Sequence, residues 1–537
     1  MDAPAFAQAI QCWKGIVGER FVETDPSALK SFCQNVSALQ RSVLAVLKPS
    51  CAEEIQQIVQ IANEFKIPLY PISCGRNWGM GSRLPVRDGA VVVDLGRMNR
   101  IREVNVEHHY AVVEPGVTQG QLYDYLCERR LPLVLNVIGS GRNTSLIGNA
   151  LDRGVAYFSS RADSLSGIDV VLGNGERIQT GFGSFPQAQT TFLYRHGTGP
   201  SLDGLFAQSN FGIVTSAAID LIPKREEMVC MLATLRDPKK LGEFVEVLRR
   251  LRQQEIIQTV VHIANRHRSV SALTPEIYEY LKRTRQGSAF DLRKIAEEIV
   301  RLEIPGIWTA GCGLMGTAGQ LKEIRIRIKK ALTKLARITF LNDRTLARLQ
   351  SVAKGLSFIP SFARKSAVLH AMEPLYGLTK GIPTDAALRS VYWPLNDEPM
   401  AGVSEPDQSQ SGQLYCLPMI PMNAKSVDEV VAGTESIFKK YGFETYITLN
   451  MVNTKALEGV INLVFRRDQQ ARVDAAHACI EEWHRQFIEK GYIPYRLGIQ
   501  SMSQVIQEKN PYWRLVRDLK KVFDPNRIIA PGRYNLV

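Results

Sequence analysis

The chain has 537 residues, of which 45% are hydrophobic and 22% charged, and its formal net charge is +13. This composition is typical of a globular protein that is too long for one hydrophobic core, so we expect two or more domains. The basic residues are spread out without interleaved aromatic side chains, which argues against nucleic acid as a partner, and no apolar run is long enough to span a membrane.

The nine cysteines are odd in number, scattered along the chain and never arranged as Cys-x-x-Cys. This pattern favours a reducing compartment and argues against a disulfide framework or a zinc site. The N-terminus lacks a basic stretch followed by an apolar core, so we expect no secretory signal and a cytoplasmic location. The histidines show no ligand spacing, and the adjacent pair His108-His109 would point to opposite faces of a strand. No metal site is predicted.

In chain order, the first predicted element is a helix at residues 51–65, opened by the capping box Ser50-Cys51-Ala52-Glu53. A buried strand is expected at 90–95. A second capping box, Thr118-Gln119-Gly120-Gln121, opens the next helix. Gly173-Asn174-Gly175 separates two further strand-like runs and indicates a hairpin.

The most informative segment is Pro71-Ile72-Ser73-Cys74-Gly75-Arg76-Asn77-Trp78-Gly79-Met80-Gly81, which lies between the strand-like runs 68–72 and 90–95. Three glycines in seven residues suggest a tight turn that brings bare backbone N–H groups close to a ligand such as a pyrophosphate. Because neither Gly-x-Gly-x-x-Gly nor Walker spacing is present and no helix follows, a Rossmann or P-loop site fits poorly.

After about residue 225 the glycine-rich loops become rare. The order βαββα is predicted for residues 414–420, 427–440, 443–450, 459–465 and 469–490. This order suggests ferredoxin-like units packed over one sheet. Residues 395–412 are polar and rich in turn formers, so a loop is expected there.

Five segments in a fixed order carry a family resemblance: the glycine-rich segment, then residues 113–118, 148–157, 205–215 and 523–532. Together they resemble the vanillyl-alcohol oxidase/p-cresol methylhydroxylase (PCMH) family of flavoproteins, from about residue 40 to the C-terminus. The resemblance implies an α+β, two-domain PCMH-type FAD-binding fold with a ferredoxin-like α+β cap domain. The FAD-binding domain would comprise residues 1–225 and a C-terminal return segment at 491–537, with the cap at 226–490.

The same resemblance implies FAD as the cofactor. The residues expected to hold it are Pro71, Ile72, Ser73, Cys74, Gly75, Arg76, Asn77, Met80, Gly81, Pro115, Gly116, Gly139, Ser140, Gly141, Ser145, Gly148, Asn149, Gly154, Gly212 and Ile213. The family's covalent tethers are a histidine near Glu458, or a histidine in the first glycine loop with a cysteine near Ser140, and this chain has neither. We therefore expect non-covalent FAD, with Tyr415 or Tyr446 as the alternative if a tyrosine tether exists.

The resemblance places Tyr495 and Arg496 at the substrate phenol, where an arginine would favour the phenolate by direct charge attraction. Tyr157 matches a second tyrosine that bonds the substrate oxygen. Two departures stand out. Met80 replaces a third phenol-binding tyrosine and cannot donate a hydrogen bond, and Ser140 replaces an aspartate near the flavin N5.

The implied function is that of an FAD-dependent oxidoreductase, either an oxidase or a dehydrogenase. It would transfer a hydride from a benzylic or carbinol carbon of a phenolic or related small molecule to flavin N5. The electron acceptor would be O2 or a cytochrome-type protein, and a homodimer is the assembly that the resemblance favours. Two alternatives stay open: a same-fold enzyme for a non-phenolic alcohol or biosynthetic intermediate, and a flavin-binding protein without redox turnover.

Overall fold

The computed structural model of the chain describes residues 3–304, 306–395 and 405–535. It combines helices with several mixed and antiparallel sheets. No helix within these ranges is long and apolar enough to cross a membrane.

The first part of the chain builds two sheets flanked by short helices. Its helices are α1 (Ala3–Val17), α2 (Pro26–Leu29), α3 (Ala52–Phe65), α4 (Gln119–Glu128) and α5 (Leu146–Leu151). Its strands are β1 (Val22–Glu23), β2 (Val43–Leu47), β3 (Leu69–Ile72), β4 (Ala90–Asp94), β5 (Ile101–Asn105), β6 (Tyr110–Val113), β7 (Leu133–Val134), β8 (Leu165–Leu172), β9 (Arg177–Gln179), β10 (Gly212–Asp220) and β11 (Ile222–Pro223).

The strands of this part pair in the orders β1-β2-β4-β3 and β5-β6-β10-β8-β9. The second sheet is antiparallel and contains the predicted hairpin, β8–β9. In the first sheet, β3 pairs parallel to β4. Parallel neighbours cannot be joined by a tight turn, so that prediction for the glycine-rich segment is wrong, and residues 73–89 form a long crossover instead.

The helix predicted after Ser50 forms, but its capping box does not. The helix begins at Ala52, and Ser50 bonds Glu54 through both its backbone N–H (2.7 Å) and its hydroxyl (2.8 Å). At the second predicted box, Thr118 accepts from the backbone N–H of Gln121 at 3.1 Å, whereas the Gln121 amide donates to Asn99. Only half of that box is therefore present.

The second part is built around one large sheet. Its strands are β12 (Glu227–Leu235), β13 (His262–Asn265), β14 (Trp308–Gly316), β15 (Ala336–Leu341), β16 (Ser411–Cys416), β17 (Met419–Pro421), β18 (Tyr446–Asn450) and β19 (Ala456–Arg466). Its helices are α6 (Leu241–Gln253), α7 (Arg266–Thr284), α8 (Ala289–Glu303), α9 (Ala318–Leu332), α10 (Asp343–Gly355), α11 (Pro360–Leu378), α12 (Arg389–Tyr392), α13 (Ala424–Lys440) and α14 (Gln470–Glu489). The last helix of the chain is α15 (Pro511–Phe523).

The strand order in the large sheet is β15-β12-β14-β13-β18-β19-β16, with β17 also paired to β19. One face of this sheet is apolar and packs on α6, α9, α13 and α14, which together form the largest hydrophobic core of the chain. The predicted loop at 395–412 falls partly on residues 396–404, outside the described ranges. Its end was predicted wrongly, because residues from Ser411 onward form β16.

Candidate functional site

A groove lies where the glycine-rich segment meets the C-terminal residues. Together with the open solvent at its mouth, the space free of protein atoms is about 1110 Å³. Its walls come from β3 and the segment that follows it, from α5, from the start of β10 and from residues 529–533.

Fifteen of the residues predicted to hold the cofactor line this groove: Pro71, Ile72, Ser73, Cys74, Gly75, Arg76, Asn77, Met80, Gly81, Pro115, Ser145, Gly148, Asn149, Gly212 and Ile213. The other five, Gly116, Gly139, Ser140, Gly141 and Gly154, are not part of its wall. Gly116 and Gly154 instead allow close packing. A Cβ at Gly116 would lie 2.7 Å from the Gly96 carbonyl oxygen, and a Cβ at Gly154 would lie 2.0 Å from the side-chain amide nitrogen of Asn149. Any contact of these five with the cofactor stays a prediction.

Bare backbone forms much of the groove wall. Gly75 has φ +63°, a conformation that L side chains rarely adopt. At Gly148 a Cβ would lie only 2.1 Å from the Ser73 hydroxyl, so α5 can approach the glycine-rich segment only because this position has no side chain. Ser145 holds the start of α5, accepting from the Gly148 backbone N–H at 2.9 Å and donating to the Pro115 carbonyl at 2.6 Å. A wall of this kind suits a ligand that is recognised through backbone N–H groups.

The C-terminal segment completes the groove by pairing with β3. The backbone N–H of Leu69 donates to the Ile528 carbonyl at 2.7 Å, and the Ala530 N–H donates back to Leu69 at 2.7 Å. The Asn210 amide donates to the Ala530 carbonyl at 3.2 Å. Residues more than 300 positions apart therefore meet at one edge of the groove.

A buried ion cluster borders the groove around Asp152. Arg496 binds Asp152 Oδ2 through Nε at 2.8 Å, and Arg533 binds Oδ1 at 2.8 Å. Asn77 also donates to Oδ2, at 2.6 Å, and accepts from Arg496. Burial alone would raise the pKa of Asp152, but the two guanidinium groups hold it below its usual value. Two arginines share one carboxylate, so the cluster retains one excess positive charge.

Tyr495 lies next to this cluster. Its backbone carbonyl accepts a hydrogen bond at 3.0 Å from Gln208, a residue of the groove wall. Burial raises the pKa of its phenol well above the ordinary value, and the nearby Glu458 carboxylate adds to that effect, whereas Arg496 opposes it. The predicted pair Tyr495-Arg496 is thus placed at the groove.

The face of the large sheet opposite its apolar core is buried yet polar. We call it the polar face and define it by two rows of side chains that strand pairing places side by side: His262, Asn450 and Glu458, then Tyr446, Asn462 and Tyr415. His262 Nδ1 lies 2.7 Å from Asn450 Oδ1. Several polar atoms on this face are buried without a hydrogen-bond partner among the described residues, namely His262 Nε2, Glu458 Oε2, Asn462 Oδ1 and Gln413 Oε1. Such atoms are expected where a ligand supplies the missing partner.

The polar face lies close to the glycine-rich segment and to Arg496. Gly79 approaches the Tyr415 ring so closely that a Cβ there would lie 2.5 Å from it. Glu458 is only 9% exposed, and burial raises its pKa to about 7, although Arg496 acts in the opposite direction. Glu458 is therefore a carboxyl group that can exchange a proton near neutral pH beside the predicted catalytic pair.

Tyr157 lies at another part of the polar face. Its ring centroid is 4.3 Å from that of His262, and burial raises the pKa of its phenol to about 12. The described contacts thus pair Tyr157 with His262 rather than with Tyr495. Ser140 bonds the Thr144 hydroxyl at 2.9 Å, and Met80 lines the groove.

Sequence reasoning missed Asp152, Arg533, Glu458 and His262. Asp152 lies inside one of the five family segments, but nothing in that segment indicated that it would bind two arginines from the far end of the chain. Glu458 had a weak signal, because it interrupts the apolar strand at 456–465. A charged residue inside an otherwise buried strand is unusual enough to indicate a site.

The comparisons with known proteins agree with this geometry. The family model described as "FAD binding domain" matches residues 43–181. The 1'-carboxy-chondrochloren decarboxylase of Chondromyces crocatus is 33% identical over 539 aligned positions, covering 100% of this chain and 98% of the relative. The 4-cresol dehydrogenase [hydroxylating] flavoprotein subunit of Pseudomonas putida is 28% identical, and the alignment covers 98% of this chain and 95% of the relative.

Among solved structures, p-cresol methylhydroxylase with substrate bound superposes with a TM-score of 0.83 at 27% identity, covering 99% of this chain and 97% of that chain. This match confirms the predicted two-domain α+β FAD-binding fold, whereas the exact boundaries at 225 and 490 stay a prediction. The groove fits the cofactor of that fold, because its glycine-lined wall offers bare backbone. The chain therefore belongs to the p-cresol methylhydroxylase/vanillyl-alcohol oxidase family of FAD-dependent oxidoreductases.

Proposed function

We propose that this protein oxidises a phenolic substrate at the benzylic or carbinol carbon of its side chain. The observation that carries the proposal is the Asp152 cluster, which holds Arg496 and its excess positive charge beside Tyr495 at the edge of the FAD groove. A fixed cation at this place favours a phenolate over a phenol. Phenolate formation makes the side-chain carbon a better hydride donor, because electron density moves toward the para position.

FAD would be held by the backbone of residues 73–81 and by α5. When bound, it supplies a two-electron acceptor for the hydride. The chain's own contribution is to orient the substrate between the groove and the polar face and to control its protons. The acceptor that reoxidises the flavin is proposed to be O2 or a cytochrome-type protein. The name "flavoprotein subunit" of the Pseudomonas relative supports a protein partner.

Glu458 is proposed as the acid/base group of the site. Ser140 stands where the family resemblance expects an aspartate, and a serine hydroxyl cannot replace a carboxylate at neutral pH. Glu458 has a buried oxygen that finds no hydrogen-bond partner in the described part of the chain, its pKa is about 7, and its charge influences Tyr495. It can accept the phenolic proton that Tyr495 relays and release it later.

We further propose that FAD is bound without a covalent bond. Cys74 is the one cysteine among the described residues that line the groove, and burial raises the pKa of its thiol to about 12, so the reactive thiolate is scarce. Acid precipitation should leave the yellow colour in the supernatant. Colour that stays with the denatured chain would contradict this and would point to Tyr415, whose ring lies against Gly79 of the glycine-rich segment.

Anaerobic mixing of the FAD-loaded protein with 4-alkylphenols tests the main proposal. Bleaching of the flavin absorbance is the expected result. Bleaching by aliphatic or benzylic alcohols that lack a phenol, but not by phenols, would favour the alternative of a non-phenolic substrate. Bound FAD that no phenol or alcohol reduces would favour a flavin-binding protein without redox turnover.

A second candidate is oxidative decarboxylation, which the name of the Chondromyces relative favours. Suppose that the substrate carries a carboxylate on the carbon next to the benzylic one. Loss of the phenolic proton and a benzylic hydride would leave a quinone methide. Cleavage of the bond to the carboxylate would then release CO2 and return its electron pair to form an alkene and a phenolate. Detection of CO2 and a vinylphenol in equal amounts would distinguish this reaction from simple oxidation.

A further inference from the structure

Arg268 is a cation of α7 that lies next to the polar face. It lies in the first turn of α7, where Asn265 caps the helix by accepting from the Arg268 backbone N–H at 3.0 Å. Its guanidinium donates to the Ser390 hydroxyl on α12 at 2.8 Å. Ser390 in turn donates to the Ala387 carbonyl, and Ala387 lies next to Gly139, where a Cβ would be 3.6 Å away. Arg268 is thereby held between the large sheet and the 139–141 loop.

No carboxylate pairs with Arg268 within the ranges that the structure describes. Arg389, on the neighbouring helix α12, is paired with a carboxylate by contrast: it binds Glu276 of α7 at 2.7 Å. Glu444, on the loop before β18, is bound by the Tyr446 hydroxyl at 2.9 Å and lies 3.1 Å from His267. Within the described residues, the Arg268 guanidinium therefore has no protein carboxylate that would compete with an anionic ligand.

Arg268 lies close to buried phenols of the polar face and its neighbours. Its positive charge acts on the phenols of Tyr157, Tyr415 and Tyr446, lowering pKa values that burial raises. These three tyrosines belong to the polar face or contact it. His262, whose ring packs on Tyr157, has a buried Nε2 without a partner among the described residues.

We propose that Arg268 binds a carboxylate on the side chain of a substrate whose phenol oxygen lies at the Tyr495-Arg496 pair. The inference rests on the proposed phenol oxidation and names its substrate class: 4-hydroxyphenyl compounds with a short carboxylated chain. The charges of Arg268 and Arg496 both act on the buried phenol of Tyr415. A substrate beside Tyr415 can therefore place its phenol oxygen at one guanidinium group and its carboxylate at the other.

The test compares 3-(4-hydroxyphenyl)propanoate with 4-propylphenol, which has the same ring and chain length but no charge. Each is titrated into the FAD-loaded protein while the flavin spectrum is followed, and each is then used for anaerobic flavin reduction. The wild type should prefer the carboxylate. In Arg268→Met this preference, expressed as the ratio of the two Kd values, should fall about 10- to 100-fold, as expected for a lost charge-assisted hydrogen bond. Arg268→Lys should retain part of it.

Arg389→Met is the matched control, because it removes an arginine from the same α7–α12 contact, yet one already paired with Glu276. It should keep the wild-type ratio. A ratio near one in the wild type, or a wild-type ratio in Arg268→Met, would overturn the inference while leaving phenol oxidation intact. Failure of both compounds to reduce the flavin would instead reject phenol oxidation, and the Kd ratio would still decide the role of Arg268.

Discussion

Arg496 combines two tasks that a substitution can separate. Arg496 and Arg533 together neutralise the Asp152 carboxylate. In our proposal, Arg496 alone supplies the positive charge that stabilises the phenolate. Arg496→Met should therefore keep FAD bound while slowing flavin reduction by a phenol roughly thirty- to two-hundredfold, the effect of losing about 2–3 kcal/mol at the transition state. Anaerobic stopped-flow absorbance measures this rate.

Arg496→Lys should recover part of that rate, because the charge returns without the planar guanidinium fork. A Met variant that reduces its flavin at the wild-type rate would remove Arg496 from the mechanism. It would also contradict the proposal that the substrate reacts as a phenolate.

Glu458 makes the proposed reaction dependent on pH. Its pKa of about 7 means that it is protonated in acid and becomes a carboxylate as the pH rises through neutrality. If it accepts the phenolic proton, flavin reduction should accelerate with a midpoint near pH 7, and Glu458→Gln should be slow and flat over that range. A Gln variant that keeps the wild-type pH profile would exclude Glu458 as the base.

Glu458 should also make the stability of the folded protein depend on pH. Burial raises its pKa in the folded state above the unfolded value, so its contribution to folding is fully present in acid and is lost as the pH rises to about 7. Glu458→Gln should thus melt like the wild type near pH 4.5 and at a higher temperature above pH 7. Glu489→Gln, at an exposed position on α14, should show no such difference.

At the scale of elements, the glycine-rich crossover can be tested with two glycines that share a backbone conformation. Gly75 has φ +63° and a Cβ there would lie 2.4 Å from Arg83 Cγ, whereas Gly89 has φ +78° and open space around it. Gly75→Val should abolish FAD binding, because the side chain displaces Arg83 and distorts the groove wall. Gly89→Val carries similar backbone strain outside the groove, so its FAD content, measured by absorbance, should stay near wild type. Equal occupancy in both variants would show that the crossover does not hold the cofactor.

Sequence reasoning reached the elements whose signals are local. The glycine-rich segment, the helix after Ser50 and the βαββα order were visible because turn formers and apolar periodicity act over a few residues. The polar face was not predictable in this way. Its members His262 and Glu458 are polar residues on separate strands almost 200 positions apart, and only the antiparallel pairing of β13, β18 and β19 aligns them.

At the scale of the whole molecule, one buried lysine ties the C-terminal segment to the rest. Lys520 Nζ is fully buried, pairs with Asp524 and donates to the Ile529 carbonyl at 2.8 Å and to that of Asn210. Lys520→Met would leave the Asp524 carboxylate buried without its cation, a loss of about 3–5 kcal/mol. A melting temperature lower by several degrees and weaker FAD retention are expected.

Lys521→Met is the control for that change, since Lys521 is the next residue on α15 and its ion pair, with Asp518, is exposed. Its melting temperature should stay close to wild type. If both variants melt alike, the buried pair does not secure the C-terminal segment.

The pairing of residues 528–530 with β3 has a consequence for how the holoprotein is made. The glycine-rich crossover leaves the ribosome early, but its groove lacks a wall until Arg533 has been synthesised. At about 5–20 residues per second, the interval is on the order of 20–90 s. During that time the free edge of β3 is unpaired on the nascent chain, and FAD can be captured only after translation of the last segment. Cofactor supply therefore acts on a chain in which residues 528–533 are already made, and a limited supply should yield folded protein without flavin rather than aborted folding.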